Sequence, residues 1–291
     1  MLLFDIVLPG LVLGGMYALI ALGLTLQYGV ARVMNLSYGE SLVAAAFGAV
    51  SLYGGLGLSP LVALLLAVPL AAVLNWLLYR LLLERLMRRG KDSGAQEIDS
   101  ILVTFGVLFV IQGIMLVAFG GQYYSYSYLS IPIVVLGSTL AVNRLIALTF
   151  AAVIGVAVYL ALTRTRIGTA VRAIAVDANA ARLVGIDVSA LSGLAFACGG
   201  GLVAAGGVLV SMFLTFNASM GVIFTMKALV VVIMGGVGNV LGALFAGLML
   251  GVVETAVARL VDPGLTLAAT YALFLGVLLI RPTGLFGRAP S

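Results

Sequence analysis

Two ionisable side chains stand inside long apolar runs, Lys227 just before ALVVVIM and Glu254 after LFAGLMLGVV. A lone charge at the centre of a membrane-spanning helix costs about 2.5–3.5 kcal/mol on insertion scales, so such residues are placed for a reason. Lys227 lies 11 residues before Gly238, about 16 Å at 1.5 Å per residue, and Glu254 lies 16 residues after it, about 24 Å. If the two runs fold back on each other at the glycines, the charges approach one end within about 8 Å in depth, and a lysine can lean across much of that. Two outcomes are open. Either they pair, or share a polar network, and brace the outer end of a transport path, or each reaches its nearest interface alone. Two further segments hold polar groups next to apolar helices. In 29–40, Asn35, Ser37, Tyr38 and Glu40 adjoin a short apolar run. Irregular polar backbone at membrane depth survives only where it faces protein or a water-filled path; the alternative is a cytoplasmic turn with Ser37 capping the next helix. In 226–242, Gly235, Gly236 and Gly238 interrupt an apolar stretch with Asn239 beside them. One interrupted segment in each half hints at an inverted repeat around a path formed by these eight residues.

The same inventory excludes other chemistry. There is no histidine and one cysteine, Cys198, so neither a His metal site, a His base nor an internal disulfide can form. No GxxxxGK[ST] phosphate loop occurs. No cofactor or metal is expected, and an intramembrane enzyme lacks its nucleophile–base set. An ion-coupled secondary transporter is a weaker alternative, because only Glu40, Lys227 and Glu254 lie in or beside apolar segments.

The stretch 163–190 is long for a connection and has helical spacing. Ile167, Val171, Ile174 and Ala175 fall on one face, with Arg166 and Arg172 between them; Asp177 can cap a second helix over 178–184 and Gly185 can end it. The expected product is a short helical hairpin with an apolar face that its own chain does not bury. Such a face takes a partner or lies on the membrane surface.

These residues need a scaffold, and the composition specifies one. Hydrophobic residues make up 63% of 291 and charged residues 9%, against about 45–50% and 25% in soluble domains. The expected fold class is all-α: a polytopic transmembrane bundle, one domain over 1–291, with the lipid bilayer as solvent for its surface. Apolar runs predict helices over 6–28, 40–54, 60–80, 100–119, 143–162, 191–213, 224–235, 238–258 and 267–280. The runs 40–54 and 224–235 are short for a span, which suggests broken or re-entrant helices and a count of eight to ten. The net charge of +5 does not indicate nucleic acid, because the basic residues cluster as topology requires. Arg80, Arg85, Arg88, Arg89 and Lys91 form one group, Arg164, Arg166, Arg172 and Arg182 a second, and Arg281 and Arg288 a third. Placing all three in the cytoplasm puts the N-terminus outside and the C-terminus inside, with Arg144 and Arg259 as exceptions. No Lys or Arg precedes Arg32, so the first helix is expected to be retained. The tyrosine-rich 122–130 reads as an outer interfacial belt or, alternatively, a ligand-stacking surface. Small residues at every fourth position (Gly193, Ala197, Gly201, Ala205; Gly238, Gly242, Ala246; Ala243, Gly247, Gly251) fit close helix packing, within the chain or between subunits.

Three stretches carry a resemblance: GGMYALIALGLTLQYGVARVMNLSYGE (14–40), TRTRIGTAVRAIAVDANAARLVGIDVSAL (163–191) and KALVVVIMGGVGNVLGALFAGLMLGVVE (227–254), with the ending RPTGLFG (281–287). Over nearly its whole length the chain resembles the permease subunits of branched-chain amino acid ATP-binding-cassette importers, the LivH type. The resemblance implies a second, paralogous permease subunit, two cytoplasmic ATPase subunits that carry out ATP hydrolysis, and an extracytoplasmic binding protein, in a bacterial cytoplasmic membrane. It implies that 163–190 docks on the ATPases, which assigns coupling to Arg172, Asp177, Ala181, Arg182 and Gly185. The cargo would be leucine, isoleucine or valine, or another amino acid, a short amide or urea. The chain departs from the family pattern in carrying Tyr38 where histidine is frequent, and Val240-Leu241 where proline is frequent.

Overall fold

The computed structural model describes residues 2–87, 93–135 and 138–287. The basic residues Arg88, Arg89, Lys91 and Arg288 lie outside them. Among the described residues, eight helices are long and apolar enough to cross a membrane. In chain order the elements are α1 (Leu2–Ala31), α2 (Tyr38–Leu56), α3 (Pro60–Leu78), α4 (Glu84–Met87), α5 (Ser93–Phe119), β1 (Pro132–Val135), β2 (Ser138–Ala141), α6 (Val142–Arg164), α7 (Arg166–Val176), α8 (Ala178–Leu183), α9 (Val188–Ser211), α10 (Gly221–Gly235), α11 (Val240–Leu260) and α12 (Thr266–Ile280). A wider π-type turn, Tyr79–Leu83, joins α3 to α4 in one continuous rod. The expected 40–54 run lengthens at both ends to 19 residues in α2, enough to count as a span, whereas α10 stays short at 15.

Two helices form the centre. The spans of α1 and α9 are mostly buried inside the protein, while α3, α5 and α12 turn leucines, valines and phenylalanines such as Leu70, Phe109, Val117 and Leu279 outward. An outward apolar surface is what lipid, rather than water, selects. Small residues let the central helices meet. A side chain at Gly251 would collide with the backbone of Gly14, and one at Gly247 with that of Ala18. The glycine stripe on α11 therefore serves an antiparallel crossing with α1 inside the chain. On α9, Gly201 faces Val68 of α3 and Gly193 faces Trp76 and Tyr79.

The bundle has two unlike ends. At one, Tyr28 donates to Glu97 at 2.7 Å, Ser189 to Glu84 at 2.7 Å and Asn239 to the Phe286 carbonyl at 2.9 Å. Arg80, Arg85, Arg164, Arg166, Arg172, Arg182 and Arg281 belong to this end's elements. At the other, Tyr53 donates to the Ser127 carbonyl at 3.4 Å, and Tyr124 forms an isolated antiparallel bridge with Phe216. The β1–β2 hairpin, paired from Pro132↔Ala141 to Val135↔Ser138, sits here and has no counterpart in the all-helical reading.

The 163–190 stretch folds as the helical hairpin α7–α8, with one correction. Asp177 Oδ1 accepts from the backbone of Asn179 and Ala180 at 2.8 and 3.1 Å, capping α8, and Gly185 follows with φ +82°. The face carrying Val171 and Ile174 is covered: with Ala181 it packs against Val30, Val188 and Ala195. The sequence conceals this because Val30 belongs to α1, far away in the chain. Ile167, expected on that face, does stay open, and with it Val176, Leu183 and Val184, flanked by exposed Arg172 and Arg182. Leu183 is 89% exposed and Ala181 3%, so Ala181 serves the hairpin's interior rather than its outer surface.

Candidate functional site

After α1 ends, the chain reverses at Arg32, whose φ of +51° is unusual for a residue with a side chain. Residues 33–37 then run back alongside α1 instead of leaving the bundle. The polar letters explain how. Asn35 Nδ2 donates to Gln27 Oε1 at 3.1 Å, and Gln27 Nε2 donates to the Phe196 carbonyl of α9 at 3.2 Å. Leu36 N donates to Thr104 Oγ1 of α5 at 3.1 Å. Thr225 Oγ1 of α10 accepts from Gly39 N at 2.8 Å and donates to the Leu36 carbonyl at 3.3 Å. Side chains of α5 and α10 thereby satisfy backbone groups of Leu36 and Gly39, and Gln27 of α1 holds the Asn35 amide, as irregular backbone at depth requires.

Tyr38 anchors the reversal. Its hydroxyl donates to the Ile20 carbonyl at 2.8 Å and lies 3.3 Å from that of Gly199, with no exposure to the surface. The ring fits because residue 23 is glycine: a Cβ there would collide with the Tyr38 hydroxyl. Ser37 occupies the position before α2, but its hydroxyl donates to Asn35 Oδ1 at 2.7 Å, so the expected cap from Ser37 to α2 is not made. Asn35 wins because it lies two residues back, where a short side chain closes a local turn.

Glu40 ends the series. It is wholly buried, and neither carboxylate oxygen has a hydrogen-bond partner among the described residues. The carboxylate lies against Gly221, the first residue of α10, where a side chain would collide with it. Two helices therefore start at one buried point, α2 at Tyr38 and α10 at Gly221. Helix N-termini carry unpaired N–H groups and the positive end of the dipole. The junction is an interior polar knot with one unsatisfied acid.

The glycine group does not join this knot. Gly235 and Gly238 lie at the far end of α10, with Gly235 14 residues beyond Gly221, about 21 Å along the helix. There Gly236 and Gly238 take φ of +100° and +77°, closing the tight α10–α11 turn. Asn239 Oδ1 accepts from Gly242 N at 3.0 Å and caps α11. The terminal segment fastens onto this turn, with Leu285 N on the Met234 carbonyl at 2.8 Å and Phe286 N on that of Gly235 at 3.2 Å.

Lys227 and Glu254 meet. Nζ of Lys227 lies 2.8 Å from Glu254 Oε2 and donates at 2.7 Å to the Tyr17 hydroxyl, which itself donates to Glu254 Oε2 at 2.7 Å. Thr270 donates to the other carboxylate oxygen. The ammonium also stands 4.7 Å from the Tyr17 ring centre. One cluster thus ties together α1, α10, α11 and α12. Tyr17 and Thr270 gave no sequence signal beyond being hydroxyl-bearing residues in apolar runs, and the same is true of Thr104 and Thr225.

Comparison with known proteins gives this arrangement a context. Residues 6–281 match the family described as branched-chain amino acid transport system / permease component. The high-affinity branched-chain amino acid transport system permease protein BraD of Pseudomonas aeruginosa is 28% identical over 292 residues, spanning 96% of this chain and 94% of that protein. LivH of Salmonella typhimurium, of the same description, is 29% identical over 290 residues with the same coverage. The probable LivH of Methanocaldococcus jannaschii is 24% identical over 84% of this chain and 78% of its own length. Among solved structures, PsaBC from Streptococcus pneumoniae in complex with Fab shares the fold, with a TM-score of 0.50 at 12% identity over 96% of this chain and 92% of that one. With eight apolar helices of spanning length and a family match over most of its residues, the chain is a multi-pass membrane protein that belongs to the family of permease components of branched-chain amino acid transport systems.

Proposed function

We propose that this chain is one membrane-spanning subunit of an ATP-binding-cassette importer that moves branched-chain amino acids into the cytoplasm. A second permease subunit, two cytoplasmic ATPase subunits and an extracytoplasmic binding protein complete it. The observation that carries the reading is the α7–α8 hairpin. Its inner residues Val171, Ile174 and Ala181 are rooted on Val30 of α1 and on Val188 and Ala195 of α9, the two central helices. Its outer residues Ile167, Val176, Leu183 and Val184 stay exposed beside Arg172 and Arg182. A rigid apolar ridge fixed to the helix roots is the form a lever takes when force arrives from a separate subunit. The other subunits supply and use the ATP; this chain converts their movement into tilting of α1 and α9.

The orientation that suits this reading has the basic hairpin end in the cytoplasm and the N-terminus outside, following the positive-inside bias. The junction of α2 and α10 would form the point on the path that opens and closes. Asn35, bonded to Gln27 and to the Ser37 hydroxyl, Tyr38, bonded to the Ile20 carbonyl, and the Leu36 backbone, bonded to Thr104, would hold it shut. Glu40 is the group with unused capacity there. Gly235, Gly236, Gly238 and Asn239 would act as the fixed cytoplasmic turn about which α10 moves.

Affinity purification of the tagged chain, co-expressed with the proteins encoded beside it, tests the proposal. ATPase subunits should be recovered with the wild-type chain and lost with Leu183→Asp, which acts on the open ridge. Recovery of ATPases by both forms, or by neither, would overturn the assignment of the hairpin.

A further inference from the structure

The last four carbonyls of a helix lack partners inside it, and α10 ends on Gly235 with the turn to α11 directly behind. Three of its last four carbonyls find donors. That of Ile233 takes Gly236 N at 3.1 Å, within the turn itself. The other two are served from outside the α10–α11 hairpin, by Leu285 N on Met234 at 2.8 Å and Phe286 N on Gly235 at 3.2 Å. The segment that follows α12 therefore caps α10 as a strap. Asn239 closes the joint from the other side. Its Oδ1 accepts from Gly242 N at 3.0 Å and starts α11, while its Nδ2 donates to the Phe286 carbonyl at 2.9 Å. One amide thus joins the start of α11 to the strap on the end of α10.

Glycines let the two backbones meet. Gly284 is buried with φ +85°, and a side chain on it would collide with Gly236 N and the Ile233 carbonyl. A side chain on Gly236, at φ +100°, would collide with Gly287 N. Leu285 packs against the main core, and the Phe286 ring stacks on Phe245 of α11 at 5.5 Å. α12 itself turns almost wholly outward; among the described residues its polar fastenings to the bundle are the bond from Thr270 to Glu254 and this strap.

The proposed function makes the α10–α11 turn the pivot of α10, and a pivot transmits tilt only if it resists displacement. Tilting of α1 reaches α10 at the bond between Lys227 and Tyr17. Lys227 lies 8 residues from Gly235, and Gly221, the residue against Glu40, lies 14 from it. About a fixed Gly235, Gly221 moves 14/8, or about 1.8 times, as far as Lys227. With the turn free, α10 shifts as a body and that gain is lost. We propose that residues 284–287 and Asn239 form a clamp that fixes this pivot, so that motion entering at Lys227 appears at the Gly221 end of α10. Asn239 and Gly284 are its positioning residues. The inference rests on the transport reading for the role of α10.

Two variants loosen the clamp in different ways. Asn239→Asp keeps an acceptor for Gly242 N, and so the start of α11, but has no donor for the Phe286 carbonyl. Gly284→Ala puts a methyl group where Gly236 N and the Ile233 carbonyl stand. Hydrogen exchange of the Leu285 and Phe286 amides, measured on the assembled importer in nanodiscs, reads attachment of the strap. It should quicken about fivefold in Asn239→Asp and about tenfold or more in Gly284→Ala. In liposomes, leucine moved per ATP hydrolysed should fall about twofold or more in Gly284→Ala and less in Asn239→Asp, following the lost gain. Recovery of ATPase subunits and their rate of hydrolysis should stay at the wild-type level. Unchanged exchange in both variants would overturn the clamp. Quickened exchange with unchanged leucine per ATP would overturn its role as pivot, as would an equal loss of hydrolysis and uptake, which marks a weakened fold. A wild-type importer without ATP-driven uptake would overturn the transport reading and the pivot with it; wild-type uptake beside unaltered coupling in both variants would overturn the pivot alone.

Discussion

Replacing Glu254 by Gln removes the only carboxylate from a cluster in which Lys227 Nζ stands 2.8 Å from Glu254 Oε2. Lys227 is 13% and Glu254 3% exposed at the side chain, so neither charge can turn to water without moving a helix. Glutamine keeps an acceptor for Thr270, which isolates the loss of charge from the loss of that bond. Removing one partner of a buried pair costs about 3–5 kcal/mol, because the other charge stays buried. Lys227 retains the Tyr17 hydroxyl at 2.7 Å and its ring at 4.7 Å, which puts the loss near the lower limit, about 3 kcal/mol. Lys227→Met strands Glu254 in turn, with Tyr17 and Thr270 still donating to it, and should lose a similar amount. The double variant leaves no unpaired charge and should lose about 2 kcal/mol less than the sum of the two singles. Equilibrium unfolding in mixed micelles, with SDS as denaturant, measures all four corners of the cycle. Additivity within about 0.5 kcal/mol would refute the reasoning, since the charges would then not interact.

Other outcomes follow from single contacts. Gly23→Ala drives a methyl group into the Tyr38 hydroxyl and should destabilise the chain by about 1–3 kcal/mol; Tyr38→Phe should recover part of that loss in the same unfolding assay. Ala181→Trp, aimed at a residue 3% exposed, should unseat α8 from Val30 and Val188 and open the loop to protease, whereas Leu183→Asp should leave the proteolysis pattern unchanged. Arg182→Glu should abolish uptake with membrane insertion intact, and wild-type uptake would reject the coupling role. In a Cys198→Ser background, cysteines at Arg172 and Tyr123 should react with a membrane-impermeant maleimide from opposite sides, Arg172 from the cytoplasm.

What the sequence reveals and what it conceals divide along physical lines. Hydropathy depends on each residue's own transfer energy, so most helices emerge within a few residues of their positions, whereas the polar start of α5 and the polar end of the α3–α4 rod each extend seven residues beyond the expected runs. Asp177 and Gly185 mark the ends of α8 by local capping alone. The meeting of Lys227 and Glu254 was open to arithmetic, because a hairpin at Gly236 and Gly238 fixes both depths. Contacts between distant segments left no such trace. Nothing local shows that Asn35 binds Gln27 and not water, or that Thr104 and Thr225 serve the backbone of Leu36. The covered face of α7 was misread for the same reason, since Val30 comes from another helix.

Transport itself gives the most direct test. The chain is reconstituted into liposomes with its second permease, ATPases and binding protein, and labelled L-leucine is followed into the lumen with ATP on the ATPase side. Accumulation that requires ATP and is lost with Leu183→Asp is the predicted result. Accumulation driven by an ion gradient without ATP, or equal accumulation by the Leu183→Asp chain, would contradict the account.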